Sequence, residues 1–212
     1  MMMNDKGFDL WADGYDVSVG LSDEANTYPF AGYKQVLNRI YGQVLEKECQ
    51  DVLDIGFGTG TLTTKLYDQG CRIWGVDFSA RMIELAQEKM PEAVLVQGDF
   101  AQGLPVELRQ QRYDAIIATY SLHHLDDDAK VGFLNMLLSL LKPNGKIYVG
   151  DVAFVSRKDL EACQKSCGVG WDDEEFYFVY EEMANAFPCR VTFDQISYCA
   201  GILTLEGSNG ID

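Results

Sequence analysis

Short apolar runs alternate with amphipathic stretches through the middle of the chain. The apolar runs predict buried strands, at 52–55, 71–76, 93–96, 113–120 and 146–152. The stretches between them repeat apolar residues at helical spacing and predict helices, at about 61–69, 79–90 and 126–141. This alternation is typical of a doubly wound parallel sheet, whose strands all end at one edge, where such sheets bind ligands.

Two further segments flank this alternation. Residues 1–31 are irregular in pattern but rich in aromatic side chains, and because disordered tails are poor in aromatics we expect them to fold over the rest of the chain. The remaining patterns predict helices and a final pair of strands, with helices at 32–47, 157–167 and 172–186 and strands at 190–198 and 202–206.

The first strand leads into a glycine-rich turn. Gly56, Gly58 and Gly60 alternate with Phe57 and Thr59 directly before a predicted helix. Glycines let a backbone take unusual dihedral angles and let a ligand approach closely, and a helix N-terminus presents unpaired N–H groups. The turn therefore suits a nucleotide-like or carboxylate-bearing ligand.

Two residues narrow the choice of ligand. The dinucleotide-binding fingerprint places a glycine where this chain has Thr61. Asp54 precedes the first glycine, where a carboxylate disfavours phosphate and favours an ammonium group.

At the end of the second strand, Asp77 is placed to accept both hydroxyl hydrogens of a ribose. NAD-binding folds use the same device, so Asp77 indicates adenosine without naming the cofactor.

Length and composition set outer limits. A chain of 212 residues suits one domain with a full core. No apolar run approaches the roughly 20 residues that span a bilayer, and the first residues lack the apolar core of a secretory signal, so we expect a cytoplasmic protein without a membrane segment. The six cysteines form no close Cys-x-x-Cys pair, which favours reduced thiols over a metal site.

The charge balance bears on the partner. The chain has 17 basic against 33 acidic side chains, a net charge of −16. Such a surface repels a phosphate backbone, so nucleic acid is an unlikely substrate and a small molecule fits better. The sequence does not indicate an oligomeric state.

The apolar run, the acid and the Gly-x-Gly-x-Gly turn at 52–60 resemble the first motif of the class I S-adenosylmethionine-dependent methyltransferases, and later motifs follow in the order of that family up to about residue 152. The resemblance implies a Rossmann-like, doubly wound, seven-stranded, mostly parallel sheet with an antiparallel C-terminal strand, which the last two predicted strands would complete. We expect a single domain with an N-terminal lid and helix at 1–49, a cofactor-binding core at 50–152, and C-terminal helices and a hairpin at 153–212.

The resemblance also assigns roles to residues. Gly56, Gly58 and the amides around Thr59 would cradle the methionine end of S-adenosylmethionine, and Asp54 would orient the loop or the ammonium. Asp99 would accept from the adenine amino group. Four more residues would complete the cofactor site, with Phe78 and Met82 against the adenine, Phe100 at the ring and Thr119 after the fourth strand.

The acceptor side is less specified. The run at 120–125 resembles the fourth motif of small-molecule methyltransferases, and His124 is the candidate base there, because imidazole titrates near neutral pH. Tyr15 and Tyr28 resemble lid tyrosines that close over the methionine half, where aromatic faces also suit a sulfonium. A plain structural role stays open for all three.

The resulting hypothesis is methyl transfer from S-adenosylmethionine to an unidentified small molecule. A non-catalytic binder of S-adenosylmethionine or S-adenosylhomocysteine is one alternative. An NAD-dependent oxidoreductase is another, which Thr61 and Asp54 disfavour.

Overall fold

The computed structural model describes residues 24–47 and 50–207. Its helices and strands alternate through the middle of the chain as predicted, except for a short helix at 106–109 where no helix was predicted. The helices are α1 Tyr33–Glu46, α2 Thr61–Asp68, α3 Ala80–Lys89, α4 Val106–Arg109, α5 Asp127–Leu138, α6 Arg157–Cys167 and α7 Tyr180–Met183. The strands are β1 Asp51–Ile55, β2 Arg72–Asp77, β3 Val94–Gln97, β4 Tyr113–Thr119, β5 Leu141–Phe154, β6 Phe178–Val179, β7 Val191–Gln195 and β8 Ala200–Glu206.

The strands form one mixed sheet in the order β3-β2-β1-β4-β5-β8-β7, and the two-residue β6 pairs with β5 beside this path. Strands β1 to β5 are parallel to one another, whereas β8 runs antiparallel to β5 and to β7. The predicted fold class, a mostly parallel Rossmann-like sheet with an antiparallel C-terminal strand, is confirmed. The switch in strand order falls between β1 and β4, where such sheets bind ligands.

The sheet is covered on both faces, as its apolar strands require. Successive residues of one strand enter different cores, with Val52 in one and Leu53 in the other. One core is completed by α1, α2, α3 and α6, and the other by α4, α5 and α7. Alternation of side chains along a strand explains this division. Within the described ranges, no helix has both the length and the apolar character needed to cross a membrane.

The helix predicted at 172–186 is wrong. That segment is mainly irregular and contains only β6 and the single-turn α7. Tyr177, Phe178 and Val179 are all buried, and three consecutive residues cannot share one face of a helix. Extended backbone buries them instead, because Phe178 and Val179 pair with the end of β5.

Candidate active site

The turn after β1 is built around glycines that no other residue could replace without strain. Gly56, Gly58 and Gly60 have φ angles of 69°, 56° and 75°. A Cβ on Gly56 would lie 2.5 Å from Cβ of Ser121, which follows β4. The Gly56 amide donates to the carbonyl of Val76 at 2.8 Å. The turn is therefore held against the ends of both neighbouring strands.

A small cavity lies inside this turn. Five of the predicted cofactor residues line it, namely Asp54, Gly56, Gly58, Thr59 and Thr119. Five other residues complete its wall, namely Tyr33, Phe57, Thr61, Leu62 and Tyr120. Its volume is about 40 Å³, well below the roughly 300–1,000 Å³ of most small-molecule sites. The cavity can receive one end of a ligand, and the remainder would have to lie outside it.

Asp54 is a buried acid with one oxygen available to a ligand. Its Oδ2 accepts from the hydroxyl of Thr63, while its Oδ1 has no hydrogen-bond partner in the described part of the chain. Burial raises the pKa of Asp54 to about 7, and the charge of Asp77 adds to the effect. A buried carboxylate oxygen without a partner is costly, so a donor or cation placed at Oδ1 would be bound favourably.

Asp77 links the second strand to the glycine turn. Its Oδ2 accepts from the Gly58 amide at 2.8 Å, and its Oδ1 accepts from the Ser79 amide at 2.9 Å. The carboxylate fixes the turn and remains a candidate acceptor for ribose hydroxyls.

Asp99 lies next to Asp77 along the edge of the sheet. The amide of Gly98 donates to the Asp77 carbonyl at 2.9 Å. The Asp99 oxygens accept from the Ala101 amide and from Nε2 of Gln102, both at 2.9 Å. Asp54, Asp77 and Asp99 thus come from the ends of three adjacent strands. Their individual roles toward a cofactor stay predictions.

The residues predicted to contact an adenine differ in exposure. Phe78 and Phe100 are half-buried, whereas Met82 is buried within α3. The Phe100 ring lies 5.7 Å from that of Phe133 on α5. Phe78 and Phe100 therefore present more surface to a ligand than Met82 does.

Of the two predicted lid tyrosines, the structure describes only Tyr28. Tyr15 lies outside the described residues. The Tyr28 ring stacks on Trp171 at 5.0 Å, and its hydroxyl bonds that of Tyr177 and accepts from the Asp172 amide at 3.2 Å. Tyr28 thus packs on the segment after α6. Two other tyrosines line the cavity, Tyr33 and Tyr120, with their ring centroids 5.1 Å apart.

Two adjacent histidines follow β4 at the same edge. Nδ1 of His123 lies 2.7 Å from Oδ1 of Asp151, and its Nε2 lies 3.5 Å from Oε1 of Glu175. Burial opposes the charged form of His123, but Asp151 and Glu175 outweigh it and raise the pKa. Partial burial of the ring and the charge of His123 lower the pKa of His124 to about 4. Both rings flank the region where the sequence predicts the acceptor.

Comparisons with known proteins agree with this geometry. The family model for a methyltransferase domain matches residues 52–145. An uncharacterised methyltransferase of Geobacillus kaustophilus (strain HTA426) is 37% identical over 188 residues, covering 85% of this chain and 84% of that protein. One of Oceanobacillus iheyensis is 31% identical over 209 residues, covering 94% and 95%. The chain belongs to the class I S-adenosylmethionine-dependent methyltransferases.

Solved methyltransferases share the fold. Magnesium protoporphyrin IX methyltransferase from Synechocystis PCC 6803, with bound S-adenosylhomocysteine, superposes with a TM-score of 0.65 at 19% identity, covering 84% of this chain and 85% of that one. An S-adenosylmethionine-dependent methyltransferase from Clostridium acetobutylicum gives 0.67 at 17% identity, covering 92% and 99%. The predictions of family, fold and the cofactor S-adenosylmethionine are confirmed.

Three residues near the candidate site were not predicted from the sequence, namely Asp151, Tyr33 and Glu175. Asp151 carried a usable signal, because it is an acid inside an apolar strand, as Asp54 is in β1. Tyr33 lies in the helix predicted at 32–47 and was not among the predicted site residues. Glu175 had no signal, since the segment that positions it was predicted to be helical.

Proposed function

We propose that this methyltransferase moves a methyl group from S-adenosylmethionine to a small-molecule acceptor. The observation that carries the proposal is Oδ1 of buried Asp54 beside the glycine turn, which has no hydrogen-bond partner among the described residues. This oxygen suits the ammonium of a cofactor that ends in an amino acid. The amides of the turn would receive the carboxylate at the same end. A cavity of about 40 Å³ suits that end alone.

The adenosine half would extend along the sheet edge. The Asp77 carboxylate would accept the two ribose hydroxyls, and Asp99 would accept from the adenine amino group. Phe78 and Phe100, both half-buried, would contact the adenine faces. Asp77 ends β2 and Asp99 follows the adjacent strand β3, which supports this direction for the ligand.

The bound cofactor supplies an electrophilic methyl group on a sulfonium. The chain's own contribution is to hold the acceptor in line with that carbon and to exclude water, which are the main sources of rate in such a displacement. Tyr33 and Tyr120 line the same cavity, and aromatic faces attract a cationic sulfonium. The acidity of the chain, with a net charge of −16, supports a small acceptor rather than nucleic acid.

Calorimetric titration with S-adenosylhomocysteine tests the cofactor assignment. Asp77→Ala should weaken binding by about 10-fold or more, because charge-assisted hydrogen bonds to hydroxyls are worth about 1.5–3 kcal/mol. Asp68→Ala, the same change at an exposed position at the end of α2, is the matched control. Equal affinity of the two variants would refute the ribose assignment.

Turnover separates the enzyme from a non-catalytic binder. Formation of S-adenosylhomocysteine from S-adenosylmethionine should rise above the cofactor's own decay when thiol, amine, phenol and carboxylate acceptors are supplied in turn. Tight binding without turnover across all these classes would favour the binder.

A further inference from the structure

We propose that His123, His124 and Glu175 form a binding site for a divalent transition metal of the zinc type. One ligand atom from each residue lies within 4.8 Å of the other two. Both histidines of the whole sequence are at this one place. Two imidazoles and one carboxylate favour zinc and its neighbours over magnesium or calcium, which prefer oxygen ligands alone. The proposal does not depend on the proposed function.

The spacing suits a shared ion better than a direct bond. Nε2 of His123 and Oε1 of Glu175 are 3.5 Å apart, which is long for an N–H···O hydrogen bond. Two ligand atoms of one tetrahedral zinc lie roughly 3.4 Å apart, given bonds of about 2.0–2.1 Å. An ion placed between them would need only small movements of either side chain.

The groups behind the ligands orient them as a metal site requires. Asp151 is fully buried, and its Oδ1 lies 2.7 Å from Nδ1 of His123. With a carboxylate accepting at Nδ1, Nε2 is the ring atom that faces Glu175, and a bound metal would take the place of the Nε2 proton. The hydroxyl of Tyr177 donates to Oε2 of Glu175 at 2.8 Å. Carboxylate–histidine pairs of this kind recur behind metal ligands.

Local charge favours a cation. Asp151 Oδ2 is buried and has no hydrogen-bond partner in the described part of the chain. Lys130 is the nearby opposing charge, but its ammonium is held by Asp127 at 3.0 Å and by the carbonyl of Phe176. A divalent ion would balance the carboxylates of Asp151 and Glu175 together.

The site is accessible. His124 is exposed and Glu175 is half-buried, so an ion can enter from solvent without unfolding the chain. Three protein ligands leave one position free, as in catalytic zinc sites. Under this proposal His124 is a metal ligand rather than the general base that the sequence suggested.

The test is calorimetric titration of the chelator-treated full chain with ZnCl₂ alone. One ion should bind per chain, and MgCl₂ should bind far more weakly. His124→Ala and Glu175→Gln should each lower the zinc affinity by at least about 100-fold, the upper end of what loss of an outer-shell partner costs. Glu174→Gln, the same change at the exposed neighbouring position, should leave the affinity unchanged.

Cysteines are the competing explanation for zinc binding, since Sγ of Cys163 and Sγ of Cys167 are 3.9 Å apart. A Co²⁺ adduct should show ligand-field bands without a thiolate charge-transfer band, and the side-chain nitrogen signals of both histidines should shift in NMR spectra. A thiolate band, absence of zinc binding, or full affinity in either ligand variant would overturn the proposal. Cofactor affinity, measured separately, would leave this outcome distinguishable from failure of the proposed function.

Discussion

Gly56 is held by two independent constraints, and Gly58 by only one. Both have positive φ angles, but a Cβ on Gly56 would also lie 2.5 Å from Ser121, whereas a Cβ on Gly58 would meet no described residue within 4 Å. Gly58→Ala should cost about 1–2 kcal/mol from its backbone alone. Gly56→Ala should cost clearly more and should displace Ser121. Urea unfolding of both variants measures this, and equal losses of stability would contradict the packing argument.

The buried acid at the turn predicts a pH dependence. Burial raises the pKa of Asp54 from 3.8 to about 7. The stability that the protonated side chain contributes is therefore fully present below the pKa of the unfolded chain and is lost as pH rises towards 7. As pH rises from 5 to 8, the unfolding free energy of Asp54→Asn should therefore increase relative to that of the wild type by on the order of 3 kcal/mol. Unfolding of both proteins at several pH values tests this. A difference that does not vary with pH would show that Asp54 titrates normally.

The sequence alone identified the residues whose role follows from strand position. Asp54, Asp77 and Asp99 each stand where an apolar strand ends, and the structure places the ends of these three strands side by side. It did not identify partners brought together by distant segments. The contact between His123 and Glu175 depends on how residues after α6 return to the sheet edge, which no local pattern encodes.

Among the elements, prediction succeeded where one hydrophobic period explained the whole segment. Strands β1 to β4 are continuous apolar runs, and their predicted bounds agree with the structure to within one residue. The segment at 172–186 failed because its apolar residues also fit a helical repeat. Strand pairing determines the structure of this segment, because Phe178 and Val179 pair with the end of β5.

That irregular segment should depend on its aromatic contacts. Trp171 stacks on Tyr28 at 5.0 Å and meets the edge of Tyr177 at 4.8 Å, whereas Phe176 is 47% exposed. Trp171→Ala should lower the unfolding free energy by about 2–4 kcal/mol and Phe176→Ala by less than about 1 kcal/mol. Chemical denaturation of the two variants compares their unfolding free energies, since each variant replaces one aromatic side chain by alanine. Similar losses would mean that the stacking does not hold the segment.

At the scale of the molecule, the excess of acidic side chains should act on any charged ligand. The chain carries a net charge of −16, and Asp54, Asp77 and Asp99 add to the negative potential at the site. Under the proposed function, S-adenosylmethionine brings a net charge of +1, and S-adenosylhomocysteine is neutral because it lacks the sulfonium. The two ligands otherwise have the same contacts, so they form a matched pair.

Salt should change the dissociation constants of the two ligands to different extents. Raising ionic strength from about 0.02 M to 0.5 M shortens the Debye length from roughly 20 Å to 4 Å, which screens the attraction of the whole molecule but changes short contacts little. The dissociation constant of S-adenosylmethionine should therefore rise about 3- to 10-fold, and that of S-adenosylhomocysteine less than about 2-fold. Parallel calorimetric titrations measure both. If the two ligands respond equally, the net charge governs solubility rather than cofactor binding, and discrimination between substrate and product must come from groups in contact with the sulfonium.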